Sequence, residues 1–119
     1  MIKQKKRKIG NEKEKQAGAY LQSCGYEILE YNFYTRTGEI DIVAKDGEYL
    51  VFVEVKYRST DVYGLPEEAV NYRKQGNMIR AAQYYFLKRQ LAEDTPCRFD
   101  VVVFLGEKCK LIQDAFDVG

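Results

Sequence analysis

At 119 residues the chain has room for one domain, which buries roughly two-thirds of the surface its unfolded form would expose. Hydrophobic residues at 45%, charged residues at 31% and a net charge of +1 describe a soluble globular protein that is not globally basic. No apolar run approaches the roughly 20 residues needed to span a bilayer, and the sequence holds no His. That excludes His general bases, Ser-His-Asp triads and the usual His-bearing zinc sites.

The chain opens on a basic stretch, Lys3, Lys5, Lys6, Arg7 and Lys8, within a flexible arm expected over 1–10. A solubilising terminus and an arm contacting phosphates are both open readings. No apolar stretch follows these cations as in a signal peptide, so a cytoplasmic location is expected. Asn11 to Cys24 reads as a first helix, Asn11 as its N-cap and Gly25 as its stop. Glu14 recurs at helical spacing with Ala17, Leu21 and Cys24, on the edge of the apolar stripe. Cys24, Cys97 and Cys109 have no Cys-x-x-Cys spacing and read as reduced packing residues.

Tyr26 to Tyr34 is a first strand, and Thr35 to Gly38 a turn. Ile40 to Ala44 and Leu50 to Val55 then flank Lys45-Asp46-Gly47-Glu48, a strong hairpin signal. With Asp46-Gly47 as a type I′ turn, Lys45 faces Glu48, Asp41 faces Phe52 and Glu39 faces Glu54. Strand alternation puts Glu39, Asp41, Phe52, Glu54 and Lys56 on one face. Asp41 and Glu54 become diagonal neighbours, with β-carbons roughly 7–8 Å apart. Ile40, Ile42, Val51, Val53 and Val55 form the opposite, core-facing side. Three acids against one Lys on one face are costly unless neutralised. A hard divalent cation, Mg²⁺ or Mn²⁺, matches that charge and ligand type. An ordinary solvated hairpin face is the alternative.

Tyr57 to Pro66 reads as a polar loop, in which Arg58, Tyr57 and Tyr63 offer a phosphate-and-stacking surface or half-buried packing. Glu67 to Leu91 reads as a long helix with Met78, Ile79, Ala82, Tyr85 and Phe86 toward the core. Arg98 to Leu105 and Lys108 to Gln113 are two further strands. The expected fold class is α/β: helix-strand-strand-strand-helix-strand-strand in one domain, 1–119. Its mixed β-sheet is flanked by α-helices, and the strands joined by the second helix are parallel.

Asp41 followed by Glu54-Val55-Lys56 resembles the PD-(D/E)XK signature of restriction-endonuclease-like nucleases, with Ile40 in place of its Pro. The chain as a whole resembles the small bacterial YraN family of predicted endonucleases. The matching blocks are Glu14-x-x-Ala17-x-x-Tyr20-Leu21, Gly25-Tyr26-x-Ile28-Leu29-x-x-Asn32, Gly38 to Ala44, Leu50 to Lys56 with Arg58, Glu68-Ala69-Val70 with Lys74, and Arg98 to Val102. Members usually carry Gly before the first Glu, where this chain has Lys13.

The resemblance implies a restriction-endonuclease-like core and a Mg²⁺- or Mn²⁺-dependent nuclease acting on nucleic acid, DNA in the first instance. Asp41, Glu54, the Val55 carbonyl and Glu14 would hold metal, and Lys56 would orient water. Glu39 would be an outer-shell acid or a structural one. Arg58, Arg36 and Lys74 would contact nucleic acid. Structure-selective cutting, as in the dimeric Holliday-junction resolvases of that superfamily, follows from a chain too small for a sequence-reading domain, and a homodimer is expected. The exonuclease motif Gln-x-x-x-Tyr is absent after Lys56. A nucleic-acid-binding module of the same fold without cleavage is the alternative, and membrane association is not expected.

Overall fold

A computed structural model of the chain describes residues 2–58 and 70–117, with side chains described from residue 12. The element order is α1 (Ile2–Ser23), β1 (Glu27–Thr35), β2 (Gly38–Asp46), β3 (Tyr49–Arg58), α2 (Tyr72–Lys88), β4 (Cys97–Leu105) and β5 (Lys108–Ile112). It is the expected α/β order. The loop beyond Arg58, with Tyr63 and Pro66, and the expected helical residues 67–69 lie outside the described residues.

The helix ends follow local chemistry. Gly25 takes φ 95° after α1, so its N–H reaches the Gln22 carbonyl and the Tyr26 N–H reaches the Leu21 carbonyl. These two bonds close a Schellman stop that a β-carbon would strain. At the other end α1 begins at Ile2, ahead of the expected start, so Asn11 lies inside the helix and does not cap it. The basic stretch is the helix's first turns, and its side chains lie outside those described. α2 begins where the Asn71 side chain accepts the Lys74 N–H at 2.9 Å, a cap that satisfies one of the helix's open donors.

Five strands form one sheet in the order β1-β2-β3-β4-β5. Neighbours are antiparallel except β3 and β4, the parallel pair on either side of α2 in the chain. Each face carries a helix. Met78, Ala81, Ala82 and Tyr85 of α2 pack with Phe33, Val43, Phe52, Phe99, Val101 and Val103. Ala17 and Leu21 of α1 pack with Ile42, Ala44, Val51, Val53, Val102 and Phe104. No described helix is long and apolar enough to cross a membrane.

Two expectations for the hairpin are corrected. Asp46 pairs with Tyr49, Lys45 with Leu50 and Ile42 with Val53, a register two residues from the expected one. The turn is Gly47-Glu48, and only Gly47 of the two takes a positive φ, 59°. A II′-like turn needs one such residue, at its first position, where the expected type I′ turn needs two. Asp46 thus stays in its strand. Ile40 also changes sides: it joins Phe33 and Phe52 in the α2-side core, while Ile42 lies on the α1 side. The cause lies one strand over, at Asn32, whose φ of 56° breaks the alternation of β1. Tyr31 pairs with Ile42 and Phe33 with Ile40, so β2 follows the break.

Gly38, at the start of β2, lets α2 approach closely. A β-carbon there would lie 3.1 Å from the Asn77 β-carbon.

Candidate functional site

A two-residue register shift by itself keeps face parity, and although Ile40 has changed sides, Asp41 and Glu54 still meet. The β2–β3 pairing stops at Ile42–Val53. Asp41 and Glu54 occupy the next position on their strands, where the strands part. There the Asp41 carboxylate accepts the Val55 N–H at 2.8 Å, replacing a backbone carbonyl of the ladder. Glu54 is 3% exposed, one of the two buried charged side chains among the described residues. Lys56 Nζ lies 3.4 Å and Lys74 Nζ 3.5 Å from the same Glu54 oxygen, Oε2. Lys74 gets there because the Asn71 cap starts α2 two residues before it.

The other Glu54 oxygen, Oε1, is buried with no hydrogen-bond partner, as is Glu14 Oε2 on α1. Neighbouring acids supply acceptors, and only a proton or a cation would convert them to partners. The electrostatics agree. Asp41 is pushed well above the ordinary carboxylate range by burial, then by the adjacent Glu54. Glu14 is raised to about 7 by burial, then by Glu39 and Glu54. Glu39 is raised by burial and by Glu54, against the pull of Lys74. Four carboxyl groups from α1, β2 and β3 therefore share one field, with two lysines on one of them.

Not all the expected site residues close together. Among the described residues, no three His, Cys, Asp or Glu side chains are grouped so as to hold a metal ion. Among the acids Asp41 is influenced most by Glu54, whereas Glu14 is influenced by Glu39 and Glu54. The donor chemistry, the Asp41, Glu54 and Glu14 carboxylates with one orphaned buried oxygen on each of the last two, fits a hard cation. Lys13, next to Glu14 on α1, turns toward Tyr57. Its Nζ lies 4.5 Å from the centre of the Tyr57 ring. Arg58 ends β3, its guanidinium donating to the Tyr57 carbonyl at 3.2 Å. Arg36 is exposed in the β1–β2 turn, outside the acid cluster. An apolar pocket between α2 and β4, lined by Ile79, Phe86, Leu91 and Phe99 among others, contains none of these residues.

Sequence reasoning missed a second polar cluster, at the hairpin-turn end of the sheet. Asp100, fully buried, accepts from the Tyr26 hydroxyl at 2.6 Å, from Arg98 Nε at 3.1 Å and from the Asp114 N–H at 2.9 Å. Arg98 also donates to Asp46 and to the Tyr26 oxygen, each at 2.6 Å, and Gln113 donates to that oxygen at 2.9 Å. Burial and the bond to Asp100 push the Tyr26 phenol up to about 12. Burial opposes the Arg98 charge, but bonds to Asp100 and Asp46 outweigh it, and the net shift is upward. Arg98 and Asp100 alternating on one strand were the available signal.

The sequence pattern of the Uncharacterised protein family UPF0102 matches residues 13–104. The chain is 54% identical over 108 residues to a UPF0102 protein of Lachnoclostridium phytofermentans, covering 91% of this chain and 92% of the relative. A UPF0102 protein of Thermodesulfovibrio yellowstonii is 47% identical over 108 residues, covering 91% and 95%. One from Clostridium botulinum is 41% identical over 116 residues, covering 92% and 94%.

Proposed function

For this chain, which belongs to the uncharacterised protein family UPF0102, we propose a metal-dependent nuclease with a restriction-endonuclease-like core, hydrolysing phosphodiester bonds of nucleic acid. The observation that carries this reading is the pair of half-buried Asp41 and buried Glu54 at the strand split, with Lys56 and Lys74 against Glu54. Fixed structural charges are usually fully paired, whereas this cluster holds two buried carboxylate oxygens without donors. Perturbed acids gathered in one place mark a functional site.

Asp41, Glu54 and the Val55 carbonyl would hold Mg²⁺ or Mn²⁺, with Glu14 drawn in or acting through water. Such an ion would lower the pKa of a bound water and neutralise charge building on the phosphate. The chain's own groups do the rest. Glu54 fixes the Lys56 ammonium at 3.4 Å, where it orients the attacking water and stabilises negative charge on the phosphate oxygens. Val55 N–H holds the Asp41 carboxylate in one rotamer, so the site is preorganised by backbone. Lys74 balances Glu54 and Glu39 and is placed to meet a phosphate. Structure-selective DNA cutting by a homodimer is the specific form of the proposal.

The test is incubation of purified protein with Mn²⁺ or Mg²⁺ and branched, single-stranded and duplex DNA, beside Asp41→Asn and Lys56→Ala. Cutting by the wild type that both variants lose supports the reading. Equal cutting by all three proteins, or none by any, rejects it. That no three acids among the described residues close into one group favours a second reading, a nucleic-acid-binding module without cleavage. Binding without cutting in all three proteins is its signature.

A further inference from the structure

The β1–β2 turn and α2 line a pocket outside the acid cluster, made of Tyr34, Thr35, Arg36, Thr37, Tyr84 and Lys88. Its composition is specific: two tyrosines, two cations, two hydroxyls and no carboxylate. Tyr34 is 53% exposed and Tyr84 46%, so each side chain presents surface to an incoming group, the Tyr84 ring while tilted against Phe33 with centroids 6.0 Å apart. Arg36 and Lys88 are exposed and have no carboxylate partner among the described residues. Arg89, the next residue, differs in being held by Glu30 at 2.8 Å. Lys88 Nζ sits 5.9 Å from the Tyr84 ring centre and 6.0 Å from that of Phe33. That is the outer limit of cation–π attraction and leaves the ammonium available.

Aromatic faces interleaved with uncompensated cations suit a chain of flat rings joined by anions. A base stacked on a tyrosine contributes about 1–3 kcal/mol, and the adjoining phosphates need the cations. A duplex keeps its base faces covered by stacking, so such a platform is open only to unpaired nucleotides. The pocket also borders the acids. Tyr34 is the ladder partner of Glu39, and Gly38, next to Thr37, packs on Asn77 of α2.

We propose that this pocket seats an unpaired nucleic-acid segment, with bases on Tyr34 and Tyr84 and phosphates on Arg36 and Lys88. The substrate would then be a nucleic acid with a single-stranded portion next to the cut. The role in cutting rests on the nuclease reading, whereas the binding does not.

The full chain in EDTA is titrated into a short fluorescent oligothymidylate and into a duplex of equal length, with anisotropy as the readout. The wild type is expected to favour the single strand. Tyr84→Ala and Lys88→Ala each weaken that binding about tenfold or more, Tyr84→Phe restores it, and Lys110→Ala, which removes an exposed cation on β5 at the opposite edge of the sheet, leaves it unchanged. Circular dichroism confirms folding of each variant. Equal affinity for both probes, or single-strand affinity unmoved by Tyr84→Ala and Lys88→Ala, overturns the proposal. With Mn²⁺ and a flapped duplex the two readings separate. Tyr84-dependent binding without cleavage by the wild type sinks the nuclease and leaves the platform. Cutting that proceeds equally in Tyr84→Ala sinks the platform and leaves the nuclease.

Discussion

The two buried acids among the described residues live under opposite conditions. Asp100 is surrounded by donors, with Arg98, the Tyr26 hydroxyl and the Asp114 N–H each turned toward it. Glu54 is as deeply buried, yet it has an acid for a neighbour, two lysines crowded on one oxygen, and the other oxygen orphaned. A satisfied network rigidifies a fold, and a half-satisfied one is costly to keep. The first cluster gives both oxygens of its buried acid a donor, and the second leaves one oxygen of its buried acid without one.

The largest effect is expected from breaking the satisfied side. Arg98→Ala leaves a buried carboxylate without its cation and should lower unfolding free energy by about 3–5 kcal/mol, measured by urea denaturation at neutral pH. Asp41→Asn on the other side should do the reverse. It removes an acid held unfavourably beside Glu54 and should raise stability at pH 8 by about 1 kcal/mol, while cleavage falls about 10²–10³-fold. Equal destabilisation by the two variants would erase the distinction between the clusters.

Titration sharpens the contrast further. An acid with a raised folded-state pKa binds its proton more tightly folded than unfolded. Its contribution is full below the unfolded value, near pH 4, and is lost as pH rises through the folded value. For Glu14 that passage lies at about 7, and for Asp41 it is higher still. Melting temperature should therefore fall between about pH 5 and 9, and millimolar Mn²⁺ should restore most of the loss at the alkaline end. A flat profile, or one indifferent to Mn²⁺, would speak against a cation taking the protons' place. The smallest expected effect is that of Lys74→Ala, which removes one of the two cations on Glu54. It should steepen that same profile while leaving the melting temperature at pH 5 nearly unchanged.

Local chemistry made much of the fold legible. The Gly25 stop, the alternating hairpin strands, the element order and the parallel β3–β4 pair all follow from pattern and turn residues. The acids were placed together because face parity survives a two-residue slip. The slip itself was not legible, since Asp-Gly fits a I′ turn as readily as Gly-Glu fits a II′ turn. Asp46 was settled by Arg98, which lies 52 residues away. Ile40 changed sides because of Asn32 on the neighbouring strand, and the Asp100 network needs partners from four separate segments. Such facts reside in tertiary contacts, and no local window holds them.

The approach of α2 to Gly38 has a consequence for tuning. The helix rests on bare backbone at Asn77, one turn along from Lys74. A residue with no side chain thus sets how far an ammonium stands from Glu54. A single methyl group there, in Gly38→Ala, would lever the helix outward by a few tenths of an ångström, detuning the electrostatics while leaving every acid and lysine in the chain.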